Sequence, residues 1–133
     1  MRARRERLAP GAPPLTFGAA GFVVLRDREP EVRKEIARIT DVQATARGYS
    51  NYQQWIAGTR LEQRVSLEDY SVSNRGLRAG LVGGAERIAE RLVEFERAGL
   101  DLVLLQFSPQ AEEMERFAEQ VIPLVRAESR AVA

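Results

Sequence analysis

The side chains able to hold charge, move protons or grip a ligand in this sequence are arginine, aspartate, glutamate, tyrosine and serine. Neither cysteine nor histidine occurs among the 133 residues. That excludes a thiolate nucleophile, a disulfide framework, a Cys/His zinc site and a histidine general base within the chain. Any chemistry must rest on the remaining polar residues or on a bound cofactor. The 20 basic and 19 acidic side chains leave a formal charge of +1, which gives no reason to expect nucleic acid or an anionic membrane as partner. Lys34 is the only lysine, so nearly every cation is a guanidinium.

Three stretches have a composition suited to a site. Tyr49, Tyr52 and Trp55 lie within GYSNYQQWIAG, and they either line a pocket or form the packing face of a short helix. Residues 59–79, TRLEQRVSLEDYSVSNRGLRA, have the weakest periodicity and read as a long loop of the length that often covers an active site. Gly18 and Gly21 in LTFGAAGFVVLRD mark a place where a backbone or ligand comes close, or simply small residues in a core strand.

The elements around these stretches follow from punctuation and period. Pro10, Gly11, Pro13 and Pro14 stop a helix at the amino terminus. Leu15, Phe17 and the run from Phe22 to Leu25 predict a buried strand. Glu29 to Ile39 predicts a helix with Pro30 in its first turn, where a missing N–H is tolerated, and Val32, Ile36 and Ile39 on one face. GLVG predicts a short strand or extended segment, followed by a helix from Ala85 to Ala98 with Gly99 as its terminating residue. The apolar run LDLVLLQF, Leu100 to Phe107, predicts a strand covered on both faces. The last helix places Glu112 and Glu113 in its first turn and Met114, Phe117, Val121, Leu124 and Val125 on its inner face. Strands alternating with helices in this way predict an α/β fold with a parallel sheet. No run approaches the roughly 20 apolar residues of a membrane-spanning helix, and the basic start lacks a secretory apolar core. The absence of cysteine fits a cytoplasmic location.

Gly83 to Leu92, Ala98 to Asp101, Pro109 to Glu113, Phe117 to Leu124 and the strand from Phe17 to Asp27 together form a recognisable set. With these segments the chain resembles the luciferase-like flavin-dependent monooxygenases, and within them the alkanesulfonate and dimethylsulfone monooxygenase type. The likeness is weakest between residues 40 and 72. The resemblance implies a (β/α)8 TIM barrel. Such a barrel needs about 250 residues, so the resemblance implies that residues 1–133 are its C-terminal part, roughly the last three β/α units, with residues 59–79 as a lid loop.

The resemblance implies reduced FMN as cofactor, a separate flavin reductase as partner, and oxygenation of a small organosulfur or similar substrate by O₂. Active residues of a barrel lie in loops at the C-terminal ends of strands. On this chain that rule selects Arg75 and Arg78, beside Asn74 and Gly76, and the group Gln106, Phe107 and Ser108. By resemblance Arg75 matches a lid arginine of the sulfonate enzymes and Arg78 one of the sulfone type. A guanidinium suits a sulfonate or a flavin phosphate through its paired donors. Ser108 stands where the sulfonate enzymes carry a tyrosine, a departure from that subgroup. Histidines and most flavin contacts of the family belong to strands with no counterpart here, so the chain is expected to be inactive alone. The resemblance leaves it needing either a homo-oligomer or the N-terminal part of the barrel. The alternative is a non-catalytic partial barrel serving as a dimerisation or accessory subunit.

Overall fold

The structure is a computed structural model that describes residues 2–41, 46–58 and 76–132. Its elements are α1 (Arg2–Leu8), β1 (Gly18–Phe22), β2 (Val24–Leu25), α2 (Glu29–Thr40), α3 (Ala46–Gly58), a 3₁₀ turn (Leu77–Ala79), β3 (Val82–Gly83), α4 (Ala85–Arg97), β4 (Leu102–Gln106), α5 (Gln110–Gln120) and α6 (Ile122–Val132). The α/β reading holds, and both strand pairings are parallel. Among the described residues no helix is long and apolar enough to cross a membrane. The predicted lid at 59–79 lies outside the described residues except for Gly76 and the 3₁₀ turn.

β1 and β2 form one extended run whose neighbours change along its length. β1 pairs with β4 in register from Gly18↔Leu102 to Phe22↔Gln106. The Val23 N–H continues that ladder to the Gln106 carbonyl at 3.0 Å. Successive backbone groups of a strand point to opposite edges. Accordingly Phe22 donates the other way, to the Gly76 carbonyl at 3.2 Å, and Val24 to the Leu81 carbonyl at 3.0 Å. β3 therefore lies on the opposite edge from β4, against β2. The β1–β2 run thus stands between β4 on one edge and β3 on the other. The GLVG segment forms only a two-residue strand, and the long partner of β1 is β4, reached through the crossover helix α4, as a parallel connection requires.

Glycines make this close three-way approach possible. A side chain at Gly21 would sit 2.8 Å from Leu81 Cδ1 and 3.0 Å from Ala79 Cβ. Gly76, at φ +69°, would place its Cβ 3.1 Å from the Gly21 Cα and from the Phe22 nitrogen. Gly21 is thus a point where another backbone comes close. Gly76→Ala is expected to lower stability by about 1–3 kcal/mol, combining left-handed strain with overpacking; chemical denaturation of the purified variant would measure it.

Helices α4, α5 and α6 cover one face of the sheet. Val23, Leu25, Leu81, Ile88, Ala89, Phe117 and Val121 form the buried cluster there, with Val103, Leu105 and Phe107 packed against it. A smaller cluster of Phe22, Val24 and Ile39, with Ile36 and Leu77, places α2 over the other face at the end of the strand. Among the described residues nothing is seen to cover the rest of that second face. Leu102 is 59% exposed and Leu104 65%, with Gly18 and Ala20 also exposed beside them. The expectation that β4 is covered on both faces is corrected, because α2 reaches only the end of the sheet.

The helix limits match the sequence reading closely. Pro30 occupies the first turn of α2, and Gly99 at φ +87° follows α4. The predicted last helix is two, α5 and α6, meeting at Val121. Phe117 and Val121 are buried as expected, whereas Met114 is 51% exposed. At the opposite end of the strands, the Asp101 carboxylate accepts from the Phe17 N–H at 2.8 Å, while the Asp101 N–H donates to the Phe17 carbonyl at 2.8 Å. This reciprocal pair sets the register at which β1 and β4 begin.

Candidate functional site

In a parallel α/β sheet the groups that act on a ligand gather beyond the carboxyl ends of the strands. Here that end holds a web of charges reaching across the fold. Arg26 follows β2 directly. Its Nη1 donates to the Leu25 carbonyl and to Glu113 Oε2, each at 2.6 Å. Glu113 is the one buried charged residue among those described, 5% exposed on α5. A buried carboxylate needs partners, and Arg116 adds a second guanidinium 3.7 Å from its other oxygen. The hydrogen bond that Arg26 donates to Glu113 raises the arginine's pKa further, so the pair is permanently ionic on the arginine side.

Glu35 on α2 extends the web. It lies 3.9 Å from Arg26 Nη2 and accepts from Arg38 Nη2 at 2.5 Å. Arg38 Nη2 also donates to the Ser108 carbonyl at 2.7 Å and to the Ser108 Oγ at 3.0 Å. The loop after β4 is therefore held from a helix 70 residues away in sequence. With donors committed to carboxylates, two backbone carbonyls and a hydroxyl, Arg26 and Arg38 serve to fix strand ends and a loop. They are not free acids or bases.

The hydrogen bond from Arg38, supported by the charges of Arg38, Arg26 and Arg116, lowers the Glu35 pKa against the opposing effect of burial. A carboxylate depressed in the folded state adds stability above its unfolded pKa and loses it as pH falls through the folded value. Glu35→Gln is accordingly expected to be less stable than the parent by about 1–2 kcal/mol near neutral pH. The gap should close on acidification below the carboxylate range, which paired urea titrations at neutral and acid pH would show.

The residues selected from sequence are placed as follows. Ser108 sits in the web, with its hydroxyl and carbonyl both accepting from Arg38. Gln106 ends β4 and is exposed on the same side of the strand as Leu102 and Leu104. Arg78 is exposed in the 3₁₀ turn, on the opposite edge of the β1–β2 strand from Gln106 and Ser108. The Ala79 carbonyl beside it accepts from Arg91 Nε at 3.1 Å, which ties that turn to α4. Arg75 lies outside the described residues, as does the structure of Asn74. Trp55 is 39% exposed on α3, and the side chains of Tyr49 and Tyr52 lie outside what is described.

Sequence reasoning missed Arg26, Glu35 and Arg38. It gave Glu113 only a favourable place at a helix start. A cue was present in the arginine closing an otherwise apolar strand, where a charge at the sheet's end needs a counter-ion.

The fold and site define a parallel α/β unit with one helix-covered face, one bare apolar face, and a charge web at the carboxyl ends of its strands. No protein-family profile matches the chain. Among curated proteins it is 33% identical over 129 residues to the FMNH(2)-dependent dimethylsulfone monooxygenase of Pseudomonas fluorescens (strain Pf0-1), a match covering 92% of this chain and 35% of that protein. It is 32% identical over 130 residues to the FMNH(2)-dependent dimethylsulfone monooxygenase of Pseudomonas putida, covering 92% of this chain and 36% of the relative. The chain thus spans about a third of the length of the curated relatives it matches.

Proposed function

We propose that this chain is the C-terminal portion of a luciferase-like, FMNH2-dependent monooxygenase barrel, acting on a small organosulfur or similar substrate with O₂ and inactive on its own. The similarity to two FMNH(2)-dependent dimethylsulfone monooxygenases over 92% of the chain supports the assignment. The observation that carries it is structural: the parallel pair β1–β4 leaves a bare apolar face of Leu102 and Leu104, 59% and 65% exposed, on a sheet covered by helices on the other side. That one-sided layout is what a segment of a barrel wall has, with helices outside and strands facing inward.

The described residues fit reduced FMN as one wall of its site. Leu102, Leu104 and the exposed Gln106 offer an apolar surface ending in an amide, which suits a flat ring system bearing donors and acceptors. Arg78 supplies a guanidinium for an anionic group, and Arg75 is proposed for the same task. When bound, the reduced flavin supplies the electrons for oxygen activation, and a flavin reductase is the proposed source of it. The chain's own part is to position: Arg38 fixes Ser108, and Arg26 with Glu113 fixes the end of the strand beside it. The wall is open on the ligand side, so tight binding requires the rest of a barrel.

The test is a chimera in which this chain replaces the matching third of the Pseudomonas fluorescens relative. FMNH2-dependent, substrate-dependent O₂ consumption is expected with a flavin reductase present. A folded chimera without turnover rejects the proposal.

A further inference from the structure

The charge web leaves two hydrogen-bond donors unused beside the carboxyl end of β4. The first is the Ser108 hydroxyl. Its oxygen accepts from Arg38 Nη2 at 3.0 Å, and among the described residues its proton goes to no protein group. A hydroxyl has one proton to give and two sites that accept. With a guanidinium against the oxygen, the O–H points away from Arg38, and the nearby cation polarises it into a stronger donor. The second is Arg38 Nη1. The Nε–Nη2 edge of that guanidinium faces Glu35, with Nε 3.1 and 3.2 Å from the two carboxylate oxygens. Nη2 turns its other proton to the Ser108 carbonyl and hydroxyl. Among the described residues Nη1 meets no acceptor.

The fork geometry brings these two donors together. A guanidinium is rigid and planar, so one Nη1 proton runs alongside the Nη2 proton that meets Ser108. It emerges next to the serine hydroxyl. The surroundings favour an acceptor there. The web joins three arginines, Arg26, Arg38 and Arg116, to two glutamates, Glu35 and Glu113, and both glutamates already have cationic partners. One positive charge is in excess. The Arg38 side chain is 50% exposed and Ser108 is half-buried, so a small group can reach both. Gln106, two residues before Ser108, is exposed on the side of Leu102 and Leu104 and connects the pair to the open wall.

We infer that Arg38 and Ser108 form a two-donor clamp for an acceptor oxygen, one carried on sulfur or phosphorus with full or partial negative charge. Arg38 acts twice in it. It sets the direction of the serine proton and adds its own Nη1 proton. A ligand without such an oxygen leaves both donors unpaired, which is how a polar site rejects an analogue. The inference rests on the reading of the wall as a ligand site and brings α2 into that site.

The test is an NMR titration of the isotope-labelled full chain, following the Ser108 amide and the Arg38 Nε–H. The probes are dimethylsulfone, inorganic phosphate and, as a control without oxygen, dimethyl sulfide. Weak, saturable shifts of both signals are expected with dimethylsulfone or phosphate, and none with dimethyl sulfide. The tighter of the two oxygen-bearing probes identifies the source of the oxygen, a substrate's sulfonyl group or a flavin's phosphate. Ser108→Ala is expected to weaken that probe about tenfold, as loss of a polarised hydrogen bond does. The backbone carbonyl at 108, 2.7 Å from Arg38 Nη2, still anchors the loop in this variant. Ser108→Thr, which keeps a hydroxyl, is expected to retain binding. Arg38→Lys, which keeps the charge and loses the fork, is expected to weaken it. An equal response to dimethyl sulfide, undiminished affinity in Ser108→Ala, or no saturable shift at either signal overturns the clamp. The chimera separates the clamp from the functional reading. An active chimera whose KM is unchanged by Ser108→Ala sinks the clamp and leaves that reading standing. A folded, inactive chimera, beside a chain that binds these probes through Ser108, does the reverse.

Discussion

Arg26→Ala is expected to destabilise the chain by about 3 kcal/mol, the low end of the cost of stripping one partner from a buried ion pair. Glu113 is 5% exposed, so the carboxylate left behind cannot recover full hydration. The cost stays at the low end for two reasons visible in the structure. Arg26 itself retains 18% side-chain exposure, so water can enter where it leaves, and Arg116 stands 3.7 Å from the second Glu113 oxygen as a partial substitute. Removing both charges tests the mechanism. Arg26→Met with Glu113→Leu is expected to recover most of the loss, because an apolar pair of similar volume avoids the desolvation that the ion pair pays. Urea unfolding of the parent, both single variants and the double variant measures the coupling. Additive losses would show that the two residues act independently and that the web is incidental.

Ile88→Ala is expected to cost about 3–4 kcal/mol, in the range for a fully buried aliphatic side chain whose cavity does not collapse. Ile88 is 0% exposed on α4 and belongs to the cluster of Val23, Leu25, Leu81, Phe117 and Val121 that joins the sheet to its helix layer. The same type of truncation at Leu104 is expected to change stability by less than about 0.5 kcal/mol, because an exposed side chain gives up little burial. Leu104 is 65% exposed on the opposite face of the sheet. The contrast between two aliphatic residues on opposite sides of the sheet is the energetic signature of a one-sided layer. Denaturant midpoints of the two variants, measured side by side, check it. Equal losses would mean that the second face is covered in solution.

Local signals in the sequence led to local structure. Pro30 marked the start of α2 and Gly99 the end of α4, because each restricts the backbone at its own position. The glycines at 21 and 76 meet across the strand, and only the first was readable as a close approach, since the second is defined by its partner. What escaped depends on residues far apart in the chain. Arg26 and Glu113 are 87 residues apart, and Arg38 reaches Ser108 across 70. The apolar run from Leu100 to Phe107 was read as buried on both faces. Periodicity records the surroundings a strand is suited to, and here one of those faces is bare. GLVG looks like a strand in sequence, and its place beside Val24–Leu25 is set by pairing on the opposite edge from β4. Of the candidate residues, Ser108 accepts from Arg38 in the charge web, while Gln106 and Arg78 lie on opposite edges of the central strand.

The segments that carried the family likeness are largely structural in this light. Asp101 sets the register of β1 against β4. Glu113, from the helix after Pro109, is the counter-ion of Arg26, the arginine that follows β2. A likeness built from such residues speaks for a shared scaffold, and the substrate depends on the groups that face the open wall.

The most direct test of the central claim is an anaerobic titration of reduced FMN, followed by fluorescence, into the purified chain and into the chimera with the unmatched part of the relative. Saturable micromolar binding by the chimera, with none by the chain alone, is the predicted result. Binding by the isolated chain as tight as that of the chimera would contradict the account, because one wall would then suffice to hold the flavin.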